Sequence, residues 1–260
     1  MEKQSFTIDV IYFSPTHSSG KTAKAIASGM GEPRRKIVDL TLDEKTDDIL
    51  VGEGELAVIC VPVYAGRVAP VAAERLSRLK ADGTPAVIAV SYGNRDYDDA
   101  LVELYDIAVA AGFKPVAAGA FIGEHSYSRK DMPVAAGRPD AADIEIAKRF
   151  GRDCMRKLLS GNVGNDLRLK GNRPYRDVKP SPPVAPHSTG DCAGCGECIN
   201  VCPTHAISLS SGALQTDAEK CVRCCACVKY CPIGARVFDT PFTEFLYKNF
   251  SARREPELFI

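Results

Sequence analysis

Short apolar segments alternate with amphipathic segments from the start of the chain to Ser160. The apolar segments are four to eight residues long and rich in valine and isoleucine, as expected for strands that are buried on both faces of a parallel sheet. They cover Phe6–Phe13, Lys36–Leu40, Leu56–Val61, Ala86–Val90 and Val116–Phe121. The pattern therefore predicts five strands of one open sheet.

Helical spacing of apolar residues is clearest between these strands. The predicted helices are Lys21–Met30, Ala69–Lys80, Asp98–Ala111 and Pro139–Leu159. Strands that alternate with helices favour an α/β fold, with a doubly wound parallel sheet covered by helices on both faces. Ligands in such folds bind beyond the carboxyl ends of the strands, where the strand order reverses.

The pattern changes after Ser160 and divides the chain into four segments. The α/β domain covers 1–160, and a segment rich in glycine, asparagine and then proline predicts a linker over 161–187. A cysteine-rich domain covers 188–240, and 241–260 form a tail with one short amphipathic helix. The tail helix carries Phe242, Phe245, Leu246 and Phe250. It either clamps the two domains together or covers the core of the cysteine-rich domain.

Nine of the 11 cysteines lie between Cys192 and Cys231, and eight of them form two copies of one motif. Both copies read C-x2-C-x2-C-x3-C-P, and they begin at Cys192 and at Cys221. Dense thiols in a chain without a signal peptide indicate metal binding more than disulfide formation. Zinc would favour two cysteine pairs separated by a longer spacer, so the spacing favours iron–sulfur clusters.

The cysteine-rich segment closely resembles the bacterial two-[4Fe–4S] ferredoxins, which have an α+β fold. In that family the fourth cysteine of each run ligates the other cluster. The resemblance implies that cluster one is held by Cys192, Cys195, Cys198 and Cys231, and that cluster two is held by Cys221, Cys224, Cys227 and Cys202. Cys225 is then a non-ligating thiol beside a cluster, and Cys60 and Cys154 are buried apolar residues.

A hydroxyl-rich loop follows the first strand directly. Free N–H groups and the helix dipole make such a helix start an anion site. Gly20-Lys21-Thr22 matches the end of a Walker A motif, but Pro15 occupies the position of its first glycine, which disfavours a nucleotide triphosphatase. The loop resembles the phosphate loop of flavodoxins, except that His17 replaces a glycine. The predicted phosphate contacts are Ser14, Thr16, His17, Ser18 and Ser19.

Two further loops follow the third and fourth strands, where a flavodoxin holds the flavin ring. Each contains small residues and a tyrosine that is able to stack on a ring. The predicted contacts are Pro62, Val63, Tyr64, Ala65 and Gly66 in one loop, and Ser91, Tyr92, Gly93, Asn94 and Tyr97 in the other. The resemblance thus implies a five-stranded sheet of order 2-1-3-4-5 that binds FMN. The alternative is that these are ordinary strand-to-helix loops around an empty site.

His125 follows the fifth strand on the same edge of the sheet. An imidazole with a pKa near neutrality is able to protonate a reduced flavin or a substrate. His125 is therefore a candidate catalytic residue, although a structural role is the simpler interpretation.

Composition and charge exclude several classes of function. Lys and Arg total 33, as do Asp and Glu, so the net charge is zero and gives no electrostatic signature of nucleic-acid or membrane binding. No apolar run is long enough to span a membrane, and the polar start lacks the apolar core of a signal peptide. We therefore expect a cytoplasmic protein.

The whole chain is similar to the flavodoxin–ferredoxin fusions known as EFR-type ferredoxins. The domain order, the Ser14-Pro15-Thr16 loop and the 254–259 segment carry this resemblance. It implies an iron–sulfur flavoprotein that transfers electrons between a low-potential partner, two [4Fe–4S] clusters and FMN, either as a carrier or as an FMN-dependent oxidoreductase acting on a redox partner protein or a small acceptor. The alternative is a redox-sensing or binding module whose flavodoxin domain has lost FMN. The oligomeric state is not predicted.

Overall fold

The structure is a computed structural model that describes residues 7–31, 34–51, 56–161, 167–178, 182–210 and 212–260. Five residues on which the sequence interpretation relied lie outside the described residues. They are Phe6 and the linker residues Asn162, Gly164, Asn165 and Pro180. The strands are β1 (Thr7–Tyr12), β2 (Arg34–Asp39), β3 (Ile49–Leu50), β4 (Leu56–Tyr64), β5 (Arg67–Val68), β6 (Leu79–Lys80), β7 (Pro85–Tyr92), β8 (Lys114–Ile122), β9 (His187–Ser188), β10 (Ile207–Ser210), β11 (Ala213–Thr216), β12 (Arg236–Val237) and β13 (Glu257–Phe259). The helices are α1 (Ser18–Gly29), α2 (Pro70–Leu76), α3 (Ala100–Ala110), α4 (Ala141–Leu159), α5 (Glu197–Asn200), α6 (Ala226–Lys229) and α7 (Pro241–Phe250).

The large sheet has the order β13-β8-β7-β4-β1-β2, and β5 pairs with β4. Its five long strands are parallel and follow the order 2-1-3-4-5 when they alone are numbered, which confirms the predicted flavodoxin-like sheet. Helices α2 and α3 cover one face, and α1 and α4 cover the other. Cys60 and Cys154 are fully buried in this second layer.

Two glycines allow α1 and α4 to pack closely. A Cβ atom on Gly29 would fall 1.9 Å from the Lys148 carbonyl oxygen, and one on Gly151 would fall 2.0 Å from the Ile26 carbonyl oxygen. The backbones of the two helices therefore touch, which requires glycine at both positions.

One predicted helix is shorter in the structure than in the sequence interpretation. The helix predicted over Ala69–Lys80 ends at Leu76, and Leu79–Lys80 instead forms β6, which pairs in parallel with β3. Leu79 is 1% exposed. As part of a strand, its side chain packs into the apolar core of the α/β domain.

Residues 167–178 of the predicted linker pack against the α/β domain. Leu167 and Leu169 contact its apolar core. The Asp99 carboxylate accepts hydrogen bonds from the Asn172 backbone at 2.8 Å and from the Arg176 backbone at 2.7 Å. Burial alone would raise the pKa of Asp99, but these hydrogen bonds lower it. This part of the linker is therefore anchored rather than free.

The tail crosses back to the sheet and ends in a strand that the sequence interpretation missed. Thr240 caps the start of helix α7, because its hydroxyl accepts a hydrogen bond from the Phe242 backbone. Strand β13 then pairs antiparallel with β8 at the edge of the sheet. An added edge strand of this kind covers backbone groups that would otherwise be exposed.

The cysteine-rich domain packs on the carboxyl edge of the sheet. The Arg75 guanidinium donates to the Pro203 carbonyl oxygen at 2.7 Å, and Lys229 pairs with Glu124. The rings of His17 and Tyr230 lie 5.2 Å apart. These contacts place the cysteine loops beside the loops that follow β1, β4 and β8.

Candidate functional site

The loop between β1 and α1 has the backbone geometry of an anion site. Ser14 Oγ accepts a hydrogen bond from the Gly20 N–H at 2.9 Å, which closes the loop. Among the described residues, the N–H groups of Thr16, Ser18 and Ser19 have no protein partner, as is usual at a helix start. Three backbone N–H donors and the hydroxyls of Thr16 and Ser18 therefore remain available for a phosphate.

His17 occupies a left-handed conformation, with φ at 66°. A non-glycine residue costs about 1–2 kcal/mol there, which explains why glycine is found at this position in flavodoxin loops. The exposed side chain contacts Tyr230 of the cysteine-rich domain instead of lining the loop. The substitution therefore leaves the phosphate loop open.

A cavity of about 700 Å³ lies at the carboxyl ends of β1, β4, β7 and β8. This volume is within the range of about 300–1,000 Å³ that is typical of ligand pockets. Twelve of the predicted FMN contacts line it: Ser14, Thr16, Ser18, Ser19, Pro62, Val63, Tyr64, Ala65, Gly66, Ser91, Tyr92 and Gly93. The structure thus brings the three predicted loops together around one space.

Three predicted FMN contacts do not line the cavity. His17 points towards Tyr230. Asn94 Nδ2 donates to the carbonyl oxygens of Phe250 at 2.5 Å and Ala252 at 2.8 Å. The Tyr97 hydroxyl donates to Glu257 at 2.6 Å. Asn94 and Tyr97 anchor the tail, a role that depends on partners at the other end of the chain and that local sequence could not indicate.

The opposite wall of the cavity comes from segments outside the α/β domain, and the sequence interpretation assigned none of them to the site. Tail and cysteine-rich residues supply an aromatic surface that ends in two stacked rings, Phe242 and Phe245, with centroids 5.5 Å apart. The wall comprises Val178, Pro182, Val184, Val222, Arg223, Phe238, Thr240, Phe242, Phe245 and Phe250. The sequence left open whether the tail aromatics clamp the two domains or cover the core of the cysteine-rich domain, and it assigned them to no cavity.

Cysteines from both runs meet around one space. A small, apolar-walled space is bounded by Cys202, Cys221, Cys224, Cys225 and Cys227. These are the four cysteines predicted for cluster two together with Cys225. Cys202, the fourth cysteine of the first run, thus lies with cysteines of the second run.

Backbone N–H groups point at two of the cysteine sulfurs. The Ala206 N–H donates to Cys202 Sγ at 3.3 Å, and the Ala235 N–H donates to Cys231 Sγ at 3.2 Å. Such donors stabilise thiolate ligands and tune cluster potentials. Among the described residues, no three His, Cys, Asp or Glu side chains converge on one metal-ion position. The thiol of Cys225, which is not a predicted cluster ligand, donates to the Arg223 carbonyl oxygen.

Tyr64 and Tyr127 lie between the cavity and the second run of cysteines. Burial raises the pKa of Tyr64, and Cys224 and Cys225 raise it further. The pKa of Tyr127 is raised to about 12 by burial and by Cys225, against the opposing effect of Arg223. Both tyrosines therefore stay neutral. Val222 and Arg223 line the cavity, so the second cysteine run, and not the first, adjoins it.

His125 packs against the Gly93 loop. A Cβ atom on Gly93 would fall 2.4 Å from the imidazole Cδ2. The Tyr127 N–H donates to His125 Nδ1 at 3.0 Å, which leaves the ring proton on Nε2. Burial, followed by the charges of Lys229 and Arg95, lowers the pKa of His125 to about 4. The expectation of a pKa near neutrality is therefore wrong, and at neutral pH the ring is a neutral Nε2–H donor.

This low pKa predicts that stability depends on pH through His125. The folded pKa of about 4 lies below the usual 6.5, so the unfolded chain takes up a proton first as the pH falls. Stability is lost between those values, and we expect a loss of about 1–2 kcal/mol between pH 7 and pH 5. Anaerobic denaturant unfolding at both pH values should show this loss for the parent and a smaller one for His125→Asn. Equal pH dependence in the two proteins would contradict the prediction.

Comparison with known proteins identifies the cysteine-rich domain. The 4Fe-4S dicluster domain family matches residues 187–232. Ferredoxin-1 of Chlorobaculum tepidum is 40% identical over 55 residues, which is 19% of this chain and 89% of that protein. The polyferredoxin-like subunit of the aliphatic sulfonate oxidoreductase of Pyrococcus furiosus is 43% identical over 51 residues, which is 18% of this chain and 28% of that subunit. The electron transport protein HydN of Escherichia coli is 44% identical over 46 residues, 17% of this chain and 26% of that protein.

Solved flavodoxins align with the first part of the chain. A flavodoxin from the domain Archaea aligns with 59% of this chain and 99% of its own, with a TM-score of 0.40 and 15% identity. A short-chain flavodoxin associated with a PDU bacterial microcompartment aligns with 59% and 98%, with a TM-score of 0.41 and 16% identity. The fold assignment itself rests on the strand order of the sheet.

The cysteine-rich domain is an electron-transfer domain that holds two [4Fe–4S] clusters, and through it the chain belongs to the 4Fe-4S dicluster ferredoxin family. With its flavodoxin-like sheet, the chain is a flavodoxin–ferredoxin fusion. It spans about a quarter of the length of the polyferredoxin-like subunit and of HydN. No helix in the described ranges is both long and apolar enough to cross a membrane.

Proposed function

We propose that the chain is an iron–sulfur flavoprotein of the cytoplasm that binds FMN and passes electrons between FMN, its two clusters and a low-potential redox partner. Clusters carry single electrons, and FMN couples these to two-electron chemistry. One observation carries the proposal. A single cavity is bounded by the phosphate loop, by both predicted ring loops and by Val222 of the second cysteine run.

FMN, rather than FAD, fits the loop because its donors surround one position beside the helix start. The three free N–H groups and the hydroxyls of Thr16 and Ser18 suit one terminal phosphate. The chain has no G-x-G-x-x-G turn in this loop, which a pyrophosphate would favour. The small residues Ala65 and Gly66 and the ring of Tyr92 then border the place for the isoalloxazine.

Fusion supports electron transfer within one chain. Lys229 pairs with Glu124 and donates to the Ser128 carbonyl oxygen at 3.0 Å, which holds the ferredoxin domain against the loop after β8. The tail adds a second attachment through β13. Covalent linkage and docking raise the effective concentration of one domain at the other without strong charge steering.

The second candidate function is a module that no longer binds FMN. It was favoured by His17, which replaces a glycine of the flavodoxin loop. The position of His17, with its ring on Tyr230 and outside the cavity, removes the main reason for this alternative.

Thr16→Ala is expected to weaken FMN binding by about 1 kcal/mol or more, because it removes a hydroxyl donor to the phosphate. Flavin fluorescence quenching in the anaerobic full-length protein measures the dissociation constant. Thr46→Ala, at an exposed position away from the cavity, is the matched control and should bind as the parent does. A parent protein that shows no measurable affinity for FMN would refute the proposal.

A further inference from the structure

The two cysteine runs differ at two strained backbone positions. In the first run, Gly194 and Gly196 have φ values of 67° and 79°. Their counterparts in the second run are Arg223, with φ at 55°, and Cys225, with φ at 58°. Side chains are unfavourable in this left-handed region, and such strain is concentrated at functional sites. The second run therefore has an arginine, Arg223, at the left-handed position where the first run has a glycine, Gly194.

Arg223 is also the part of the ferredoxin domain that brings charge to the cavity. Together with Val222 it forms the cavity wall next to the second cysteine run. It acts electrostatically on Tyr127, whose ring contacts Phe238 and Phe242 of the aromatic wall. The residue thus lines the same cavity as the phosphate loop and belongs to the ferredoxin domain.

The other charged side chains that line the cavity are neutralised by partners. Arg95 pairs with Asp98, and Glu124 pairs with Lys229. Asp96 pairs with Lys170 at 2.9 Å. Within the described ranges, the Arg223 guanidinium has neither a hydrogen bond nor an ion pair. Arg223 acts electrostatically on Cys221, a predicted ligand of cluster two, and on Tyr127. Its hydrogen-bond donors stay free at the wall of the cavity, where they favour an anionic ligand.

We propose that Arg223 forms an anion subsite in the flavin cavity, through which the ferredoxin domain binds an anionic group of the flavin held by the other domain. This inference rests on the proposed function. The flavin offers two such groups, the phosphate and the ring in its reduced, anionic form. Arginine binds either one through charge-assisted hydrogen bonds.

The test compares Arg223→Gly with the parent in the anaerobic full-length protein. Glycine is the residue of the first run, so the loop should keep its conformation and the protein its iron. Dissociation constants are measured for FMN and riboflavin, each oxidised and reduced. We expect Arg223→Gly to weaken binding about tenfold or more. Arg223→Lys should restore part of the affinity, because lysine keeps the charge but not the planar fork.

The ligand panel separates the two sources of the anion. A loss confined to FMN assigns Arg223 to the phosphate. A loss for both flavins that is larger in the reduced form assigns it to the ring. Cys225→Gly relieves the same kind of strain in the same loop without changing charge, and should leave all affinities unchanged.

Two outcomes overturn the inference. If Arg223→Gly keeps its iron and binds every flavin form as the parent does, Arg223 has no part in the site, while the proposed function is unaffected. If the parent binds no flavin, the proposed function fails and this inference fails with it. Should Arg223→Gly lose iron, Arg223→Gln, which keeps a side chain but removes the charge, carries the same comparison with the same two outcomes.

Discussion

Anaerobically purified protein with Cys202→Ala is expected to contain about four irons per chain, against about eight in the parent. Cys202 closes the first cysteine run, but it lies with Cys221, Cys224 and Cys227 around one space. Its loss should therefore remove cluster two, whose other three ligands belong to the second run. Iron and acid-labile sulfide per chain measure the result, and the spectrum of the reduced protein identifies the remaining cluster.

Cys225→Ser is the matched control for this prediction. Cys225 is a buried thiol beside the same space, but it belongs to the second run and its sulfur donates to the Arg223 carbonyl oxygen. We expect this variant to keep about eight irons. Full iron content in Cys202→Ala, or loss of a cluster in Cys225→Ser, would contradict the ligand assignment.

The sheet could be predicted from the sequence because buried parallel strands are continuous apolar runs. Strand β7 was predicted as Ala86–Val90 and forms Pro85–Tyr92, and β8 was predicted as Val116–Phe121 and forms Lys114–Ile122. The prediction omitted only residues at the strand ends, which are Pro85, Ser91, Tyr92, Lys114, Pro115 and Ile122. Chain order and the handedness of βαβ connections then restrict the strand order.

Contacts between distant segments could not be predicted in the same way. Strand β13 is short, and it forms because the free edge of β8 accepts it. Asn94 has the composition of a ring-binding loop, yet its amide binds the tail backbone. Each outcome depends on a partner segment far away in the chain, for which local periodicity carries no signal.

The candidate site shows the same difference between features that local sequence predicts and contacts that depend on distant segments. Its α/β side was predicted because Ser14, Tyr64 and Tyr92 follow strands whose carboxyl ends meet at one edge. Its other side, formed by Phe242 and Arg223, depends on how the ferredoxin domain and the tail dock. The environment of His125 also required the structure, because burial and the neighbouring Lys229 determine its pKa.

Loss of cluster two is expected to have a large effect on flavin reduction. Val222 and Arg223 of the second cysteine run line the cavity, and no residue of the first run does. If electrons reach FMN through the ferredoxin domain, Cys202→Ala should slow its reduction even when FMN is bound normally. Cys225→Ser keeps both clusters and should reduce FMN at the parent rate.

Rapid mixing of the FMN-loaded protein with a viologen radical, followed at the flavin absorbance, tests electron transfer within the chain most directly. The account predicts a first-order phase whose rate is independent of protein concentration in the parent and in Cys225→Ser, and which is slower by about tenfold or more in Cys202→Ala. A flavin reduction rate that is unchanged in Cys202→Ala, in protein shown to lack cluster two and to bind FMN as the parent does, would contradict the account.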